Sequence, residues 1–191
     1  MPDLTRGQAA SQESDPPSGP GRDLMIETPD DWWEVEALYD LCFAPGRERL
    51  SSYRLRERVA PIREMCLISR DADGTIGGVT RAWPVRIGPA RAVLFGPVAV
   101  HPTRQGEGLG AFLIWRALDA ARELGQTRIV LVGDAPYYNR FGFRKLRDVV
   151  MPPPTNPDRV LGMELRHEAW KGIKGHVRKA REEPLGVWTP Y

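Results

Sequence analysis

Cysteine is scarce in this chain: Cys42 and Cys66 are the only two in 191 residues. A secreted scaffold stapled by disulfides carries more of them in a shorter length. Both therefore read as small buried apolar residues in a reducing compartment. There is no Cys-x-x-Cys, and the three histidines include no pair at metal-ligand spacing, so no metal site is expected. No run approaches the ~18 consecutive apolar residues of a membrane span. The opening stretch, MPDLTRGQAASQESDPPSGPGRD, lacks the apolar core of a secretory signal. A cytoplasmic protein with no membrane partner is the expectation. Charge of one sign is also missing, since 27 Lys+Arg against 25 Asp+Glu leave a net +2. That excludes the dense basic face with which nucleic-acid binders neutralise phosphates. No Gly-Lys dipeptide occurs anywhere, which rejects a P-loop nucleotide site.

What is present is enough for a core: 41% of residues are hydrophobic, on a length suited to one domain with tails. Glycine (19) and proline (18) are in excess and concentrate in places. Residues 1–23 read as a disordered tail, too poor in apolar side chains to offset ordering entropy. Pro152-Pro153-Pro154-Thr155-Asn156-Pro157 reads as a rigid loop between strands. Between them, Thr28–Asp31 starts a helix through Leu41, and Ser51 begins a second through Arg58. Strands are expected at Met65–Ser69, Thr75–Trp83, Arg91–Val100 and Arg128–Val132. A helix from Leu109 to Leu124 carries an apolar stripe of Leu109, Phe112, Leu113, Ala117, Ala120 and Leu124. The short crossover between the last two strands makes them parallel. The layout is a tail at 1–23, a domain at 24–168 and an extension at 169–191.

Arg104 to Gly110 leaves a buried strand and opens a helix. Glycines there let the main chain approach a ligand, and the free N–H groups of the first helical turn suit a phosphate or pyrophosphate. A turn that only connects strand to helix is the plainer reading. Gly106, Gly108 and Ala111 match a dinucleotide-binding Gly-x-Gly-x-x-Ala pattern, with Asp134 as ribose partner. That motif follows its strand directly, whereas His101 to Gln105 intervene here. Gln105, Gly108 and Gly110 match Gln/Arg-x-x-Gly-x-Gly/Ala, preceded by Val98-Ala99-Val100-His101-Pro102.

With this last pattern the sequence resembles the GNAT superfamily of acyl-CoA-dependent N-acetyltransferases. Gly133-Asp134-Ala135-Pro136-Tyr137-Tyr138-Asn139-Arg140-Phe141-Gly142-Phe143 looks like the corresponding string of its YhbS-like branch. The resemblance implies an α+β fold, three layers deep. Its sheet would be mixed, mostly antiparallel and twisted, with a parallel, splayed central strand pair and helices on both faces. It implies acetyl-CoA as co-substrate and no metal. Val98, Ala99 and Val100 would bind the pantetheine arm through the main chain. Gln105, Gly106, Glu107, Gly108, Leu109, Gly110 and Ala111 would take the pyrophosphate, and Asn139 would reach CoA. Tyr138 falls at the family's general-acid position, and Tyr137 is read as packing.

No general base is visible; Glu64, Asp134, His101 and water are the candidates. The resemblance implies that the acceptor is a primary amine, of a small molecule or a protein, entering between the first two helices and the last strands. Direct acetyl transfer in a ternary complex is the leading reading. A non-catalytic acyl-CoA sensor and a dinucleotide-binding protein are the alternatives, and a homodimer stays open. The basic run Arg47, Arg49, Arg54, Arg56, Arg58 reads as a solvated helix face. Lys171 to Arg181 reads as a solvated tail.

Overall fold

The structure is a computed structural model that describes residues 23–43 and 46–180. Of the tail expected at residues 1–23, only Asp23 lies within the described residues, where it opens the first strand. The elements in order are β1 (Asp23–Ile26), α1 (Trp32–Cys42), α2 (Ser51–Arg54), β2 (Leu67–Arg70), β3 (Ile76–Ile87), β4 (Ala90–Val100), α3 (Leu109–Glu123), β5 (Arg128–Val132), α4 (Ala135–Tyr138), β6 (Arg144–Lys145), β7 (Val149–Val150), β8 (Val160–Glu164) and β9 (Gly175–Lys179). The sheet runs β1-β2-β3-β4-β5-β8-β6, antiparallel except for the β4–β5 pair, which is parallel. This is the mixed sheet the sequence leads one to expect. No helix among the described residues is long and apolar enough to cross a membrane.

The two faces of the sheet are covered by different helices because β3 and β4 alternate their side chains. Ala82, Val93 and Phe95 face α3, with Ile129 and Leu131 beside them. Val79 and Ala99 face α1, packing with Val35, Leu38 and Tyr39. Farther along the same face, Leu55 covers Val85, Ile87, Leu94 and Val130.

Three sequence expectations change. The buried stripe of α3 is Leu109, Leu113, Ile114, Ala117, Leu118 and Ala121, while Leu124 is exposed. The helix lies flat on the sheet, so a broader face than one heptad seam is covered. The second helix ends at Arg54, Leu55 just after it enters the core, and the chain then turns through Arg58 in the left-handed region (φ 58°). Within the stretch expected as a solvated tail, Gly175–Lys179 form β9, which pairs with β3 and β7 and buries Val177 among Val85 and Ile87, while Arg181 lies outside the described residues. A short, mostly polar strand, His176-Val177-Arg178-Lys179, hides only one side chain and so gives little signal in the sequence.

Candidate active site

The parting of β4 from β5 shapes the site. Their pairing is confined to Val93↔Ile129 and Leu94↔Val130. Beyond this, β4 stays with β3 (Gly78↔Val100, Val79↔Ala99, Thr80↔Val98) and β5 follows β8 (Leu131↔Leu161, Val132↔Val160). Gly133 continues on the β8 side, its N–H donating to Arg159 O at 2.9 Å. Pro97 has no N–H to offer β5. The β3–β4 register shifts at this level, with Arg81 standing opposite Gly96 and Pro97. The gap therefore opens beside Val98, Ala99 and Val100, the three strand residues expected from the sequence. On the α1 side it is braced by the buried Tyr39, whose hydroxyl donates to Pro97 O (3.3 Å).

At the end of β4, His101 caps a short turn rather than facing a reactant: its Nδ1 meets Thr103 Oγ1 at 2.7 Å. Gln105 Nε2 donates back to Val100 O (3.1 Å), and Arg104 pairs with Asp71 (2.8 Å), which ties the loop to the β2–β3 turn. Gly106 and Gly108 are both left-handed (φ 85° and 81°), with open space where a Cβ would stand. Their glycines answer backbone conformation rather than crowding. The first helical hydrogen bond of α3 runs from Phe112 N–H to Gly108 O (3.0 Å). The N–H groups of Leu109, Gly110 and Ala111 thus have no helical acceptor, and the loop presents them together at the mouth of the gap. The exposed Glu107 belongs to this loop.

Across the gap, α4 carries Tyr137 and Tyr138. The Tyr138 ring packs edge-on against Phe143 (5.7 Å between centroids) and Tyr137 (5.1 Å). Its hydroxyl has no hydrogen-bond partner among the described residues. Burial, reinforced by Tyr137 and opposed by Arg159, pushes the Tyr138 phenol up to about 12. Tyr137 has the Arg140 guanidinium 4.1 Å above its ring, and its hydroxyl reaches the start of α3, 3.1 Å from where a Cβ on Gly110 would stand. Asn139, with its amide nitrogen turned inward, donates to Ala135 O (3.1 Å) and Phe143 O (3.0 Å) and so fixes the turn behind Tyr138.

Sequence reasoning missed Gly133 as part of this site. A Cβ there would lie 2.3 Å from Tyr138 Cε2 and 2.9 Å from Leu131 Cδ1. The absent side chain is the seat of the Tyr138 ring. Gly133→Ala is expected to displace that ring and cut turnover about tenfold, with a lower melting temperature. Steady-state kinetics and thermal denaturation of the variant check this.

A sequence profile of the acetyltransferase (GNAT) family matches residues 32–143. The chain belongs to the GNAT acetyltransferase family. It is 30% identical over 122 residues to the uncharacterized N-acetyltransferase YhbS of Escherichia coli K12, a span of 63% of this chain and 72% of that protein. Its fold is similar to that of E. coli YhbS in complex with CoA, with a TM-score of 0.73 at 27% identity, covering 83% of this chain and 89% of the other. A GNAT family acetyltransferase from Brucella melitensis in complex with acetyl-CoA gives a TM-score of 0.62 at 27% identity, covering 84% and 96%.

On the face opposite α3, this GNAT domain corrects the reading of its basic run. Arg47 is buried, with Nη2 2.6 Å from Glu36, Nε 2.8 Å from Asp40 and Nη1 donating to the Tyr53 hydroxyl at 2.6 Å. Arg81 is buried with it, Nε donating to Glu27 at 2.8 Å and Nη1 to Glu36 at 2.6 Å. Both guanidinium groups lie over the Tyr39 ring. Only Arg49, Arg54 and Arg58 of the run are exposed. Burial favours the neutral form of Glu36, but hydrogen bonds from Arg47 and Arg81 outweigh it and hold its carboxyl below the usual range.

Proposed function

We propose that this GNAT protein transfers the acetyl group of acetyl-CoA to a primary amine by direct attack in a ternary complex. The observation that carries the reading is the opening between β4 and β5, with a row of helix-start amides at one end and the Tyr138 ring seated on Gly133 just past β5. The crystallised relatives with CoA and acetyl-CoA support the choice of co-substrate.

In this reading the pyrophosphate lies on the N–H groups of the Gln105–Ala111 loop, where backbone dipoles favour an anion without a basic surface. The pantetheine arm runs along Val98–Val100 as an added strand, and main-chain N–H groups polarise the thioester carbonyl. The free amine attacks the carbonyl carbon, forming the C–N bond. The C–S bond breaks, and the departing sulfur accepts a hydrogen bond from the Tyr138 hydroxyl as negative charge develops on it. A CoA thiol is a stronger acid than a phenol near 12, so Tyr138 keeps its proton, and the CoA thiolate takes up one from solvent. The buried carboxylates on the α1 side, Glu27 and Glu36, are engaged by arginine. These two are not free to act as the base, so the proton of the amine passes to water or to one of the exposed carboxylates Glu64 and Asp134.

Calorimetric titration with acetyl-CoA tests the reading. A stoichiometric site in the micromolar range, unaffected by NAD, is expected, together with release of free CoA thiol when a suitable amine is added. Absence of acetyl-CoA binding at high protein concentration overturns it.

A further inference from the structure

The α1 face contains three inward guanidinium groups, and two of them are fully answered. Arg47 and Arg81 share Glu27, Glu36 and Asp40. Arg56 has no carboxylate within ion-pair distance among the described residues. Its guanidinium lies over Tyr53 at 4.5 Å and over Trp83 at 4.6 Å, and its Nε is sealed from solvent with no hydrogen-bond partner. The polar group beside it is the Tyr53 hydroxyl, which already accepts from Arg47 Nη1. Burial disfavours the charge and pulls this guanidinium down to about 10. A cation taken from water without a counter-ion is costly to the fold unless another role retains it.

Its position says what that role is. Trp83 lies two residues along β3 from Arg81, the residue opposite the Gly96–Pro97 irregularity. Tyr39, which supports Pro97 O, is adjacent to both Arg81 and Arg47. Arg56 thus lies one side chain away from the point where β4 leaves β5, on the face away from α3. The residue is only part-buried, and of its guanidinium nitrogens Nε alone is sealed without a partner. Aromatic rings fix its plane, and a planar guanidinium so held is suited to bidentate recognition of an oxyanion.

We propose that Arg56 is the acceptor-recognition residue of this acetyltransferase, and that the acceptor is a primary amine also carrying a carboxylate or phosphate that supplies the ion pair Arg56 lacks among the described residues. The inference rests on the acetyl-transfer reading above. It makes Arg56 a specificity determinant, with no part in the bond-making step.

The test uses matched amines with acetyl-CoA as donor: the proteinogenic amino acids against their α-amides, and phosphoethanolamine against ethanolamine. CoA thiol release is the readout. In the wild type, kcat/KM for the best anionic amine is expected to exceed that of its neutral counterpart at least about tenfold. Arg56→Gln is expected to lose most of that preference, about 10–30-fold, chiefly through KM for the anionic member. Arg56→Lys, which keeps the charge without the fork, retains part of it. Acetyl-CoA affinity by calorimetry stays the same in all three proteins. Neutral amines preferred by the wild type, no anionic amine acetylated while acetyl-CoA binds, or equal loss toward both members in Arg56→Gln would overturn the inference. Failure of acetyl-CoA to bind the wild type overturns the acetyl-transfer reading itself. The two failures are thereby distinguished.

Discussion

Replacing Tyr138 by phenylalanine is expected to lower kcat by about 10²–10³-fold, while acetyl-CoA affinity stays within about twofold. The ring packs against Phe143, Tyr137 and Phe141 through its edges and faces. Phenylalanine keeps those contacts. The hydroxyl makes no hydrogen bond to the rest of the protein among the described residues, so its removal breaks nothing in the fold. The loss is confined to the step in which sulfur gains charge. The pH profile sharpens the assignment. With the phenol near 12, its proton is in place throughout the neutral and mildly alkaline range. Wild-type kcat should therefore show no downturn between about pH 7 and 10 from this group. Stopped-time thiol-release assays on both proteins measure both effects. Equal activity in Tyr138→Phe would remove the hydroxyl from the mechanism.

The largest expected effect on stability comes from Arg81. Arg81→Met leaves Glu27, 2% exposed, with its charge buried and its guanidinium partner gone. Breaking a buried pair on one side costs about 3–5 kcal/mol. For a domain of this size that is a fall of about 6–20 °C in melting temperature. The double replacement Glu27→Met with Arg81→Met should recover a substantial part, because no orphan charge remains. Denaturant unfolding of the wild type, the two single variants and the double variant closes the cycle. A double variant no more stable than Arg81→Met would place the cost in lost packing instead. Acid erodes the same network in the intact protein. The Glu36 carboxyl is held below its ordinary range in the folded state. Its contribution is thus complete above the unfolded value, about 4.3, and is lost as pH falls through the depressed one.

These two residues differ in how plainly the sequence announces them. Tyr138 sits in a contiguous string with Gly142 and Phe143, and Gln105, Gly108 and Gly110 lie within one turn of each other. Local spacing is enough to find such groups. The strands β4 and β5 are equally legible, because both are apolar runs bounded by turn residues. Arg81 and Glu27 are separated by 54 positions and look like two unrelated surface charges until the sheet brings them together. Arg47 and Arg56 were hidden in a basic run whose spacing is ambiguous between a solvated helix and a folded turn. Gly133 gave no sign of its role, since the close approach of Tyr138 to it is a property of β5 and α4 together. Local chemistry could be read from order along the chain, whereas pairings across the sheet could not.

The docking of β9 on β3 also bears on how the protein is made. Its Val177 covers Val85 and Ile87, residues synthesised much earlier. Translation proceeds at about 5–20 residues per second. For several seconds, then, a nascent chain carries a β3 whose edge at Val85–Ile87 lacks its strand partner and whose apolar side chains lack the cover of Val177. During that interval it is a natural client for chaperones, and a ribosome stalled before residue 175 would release a sheet with an adhesive edge.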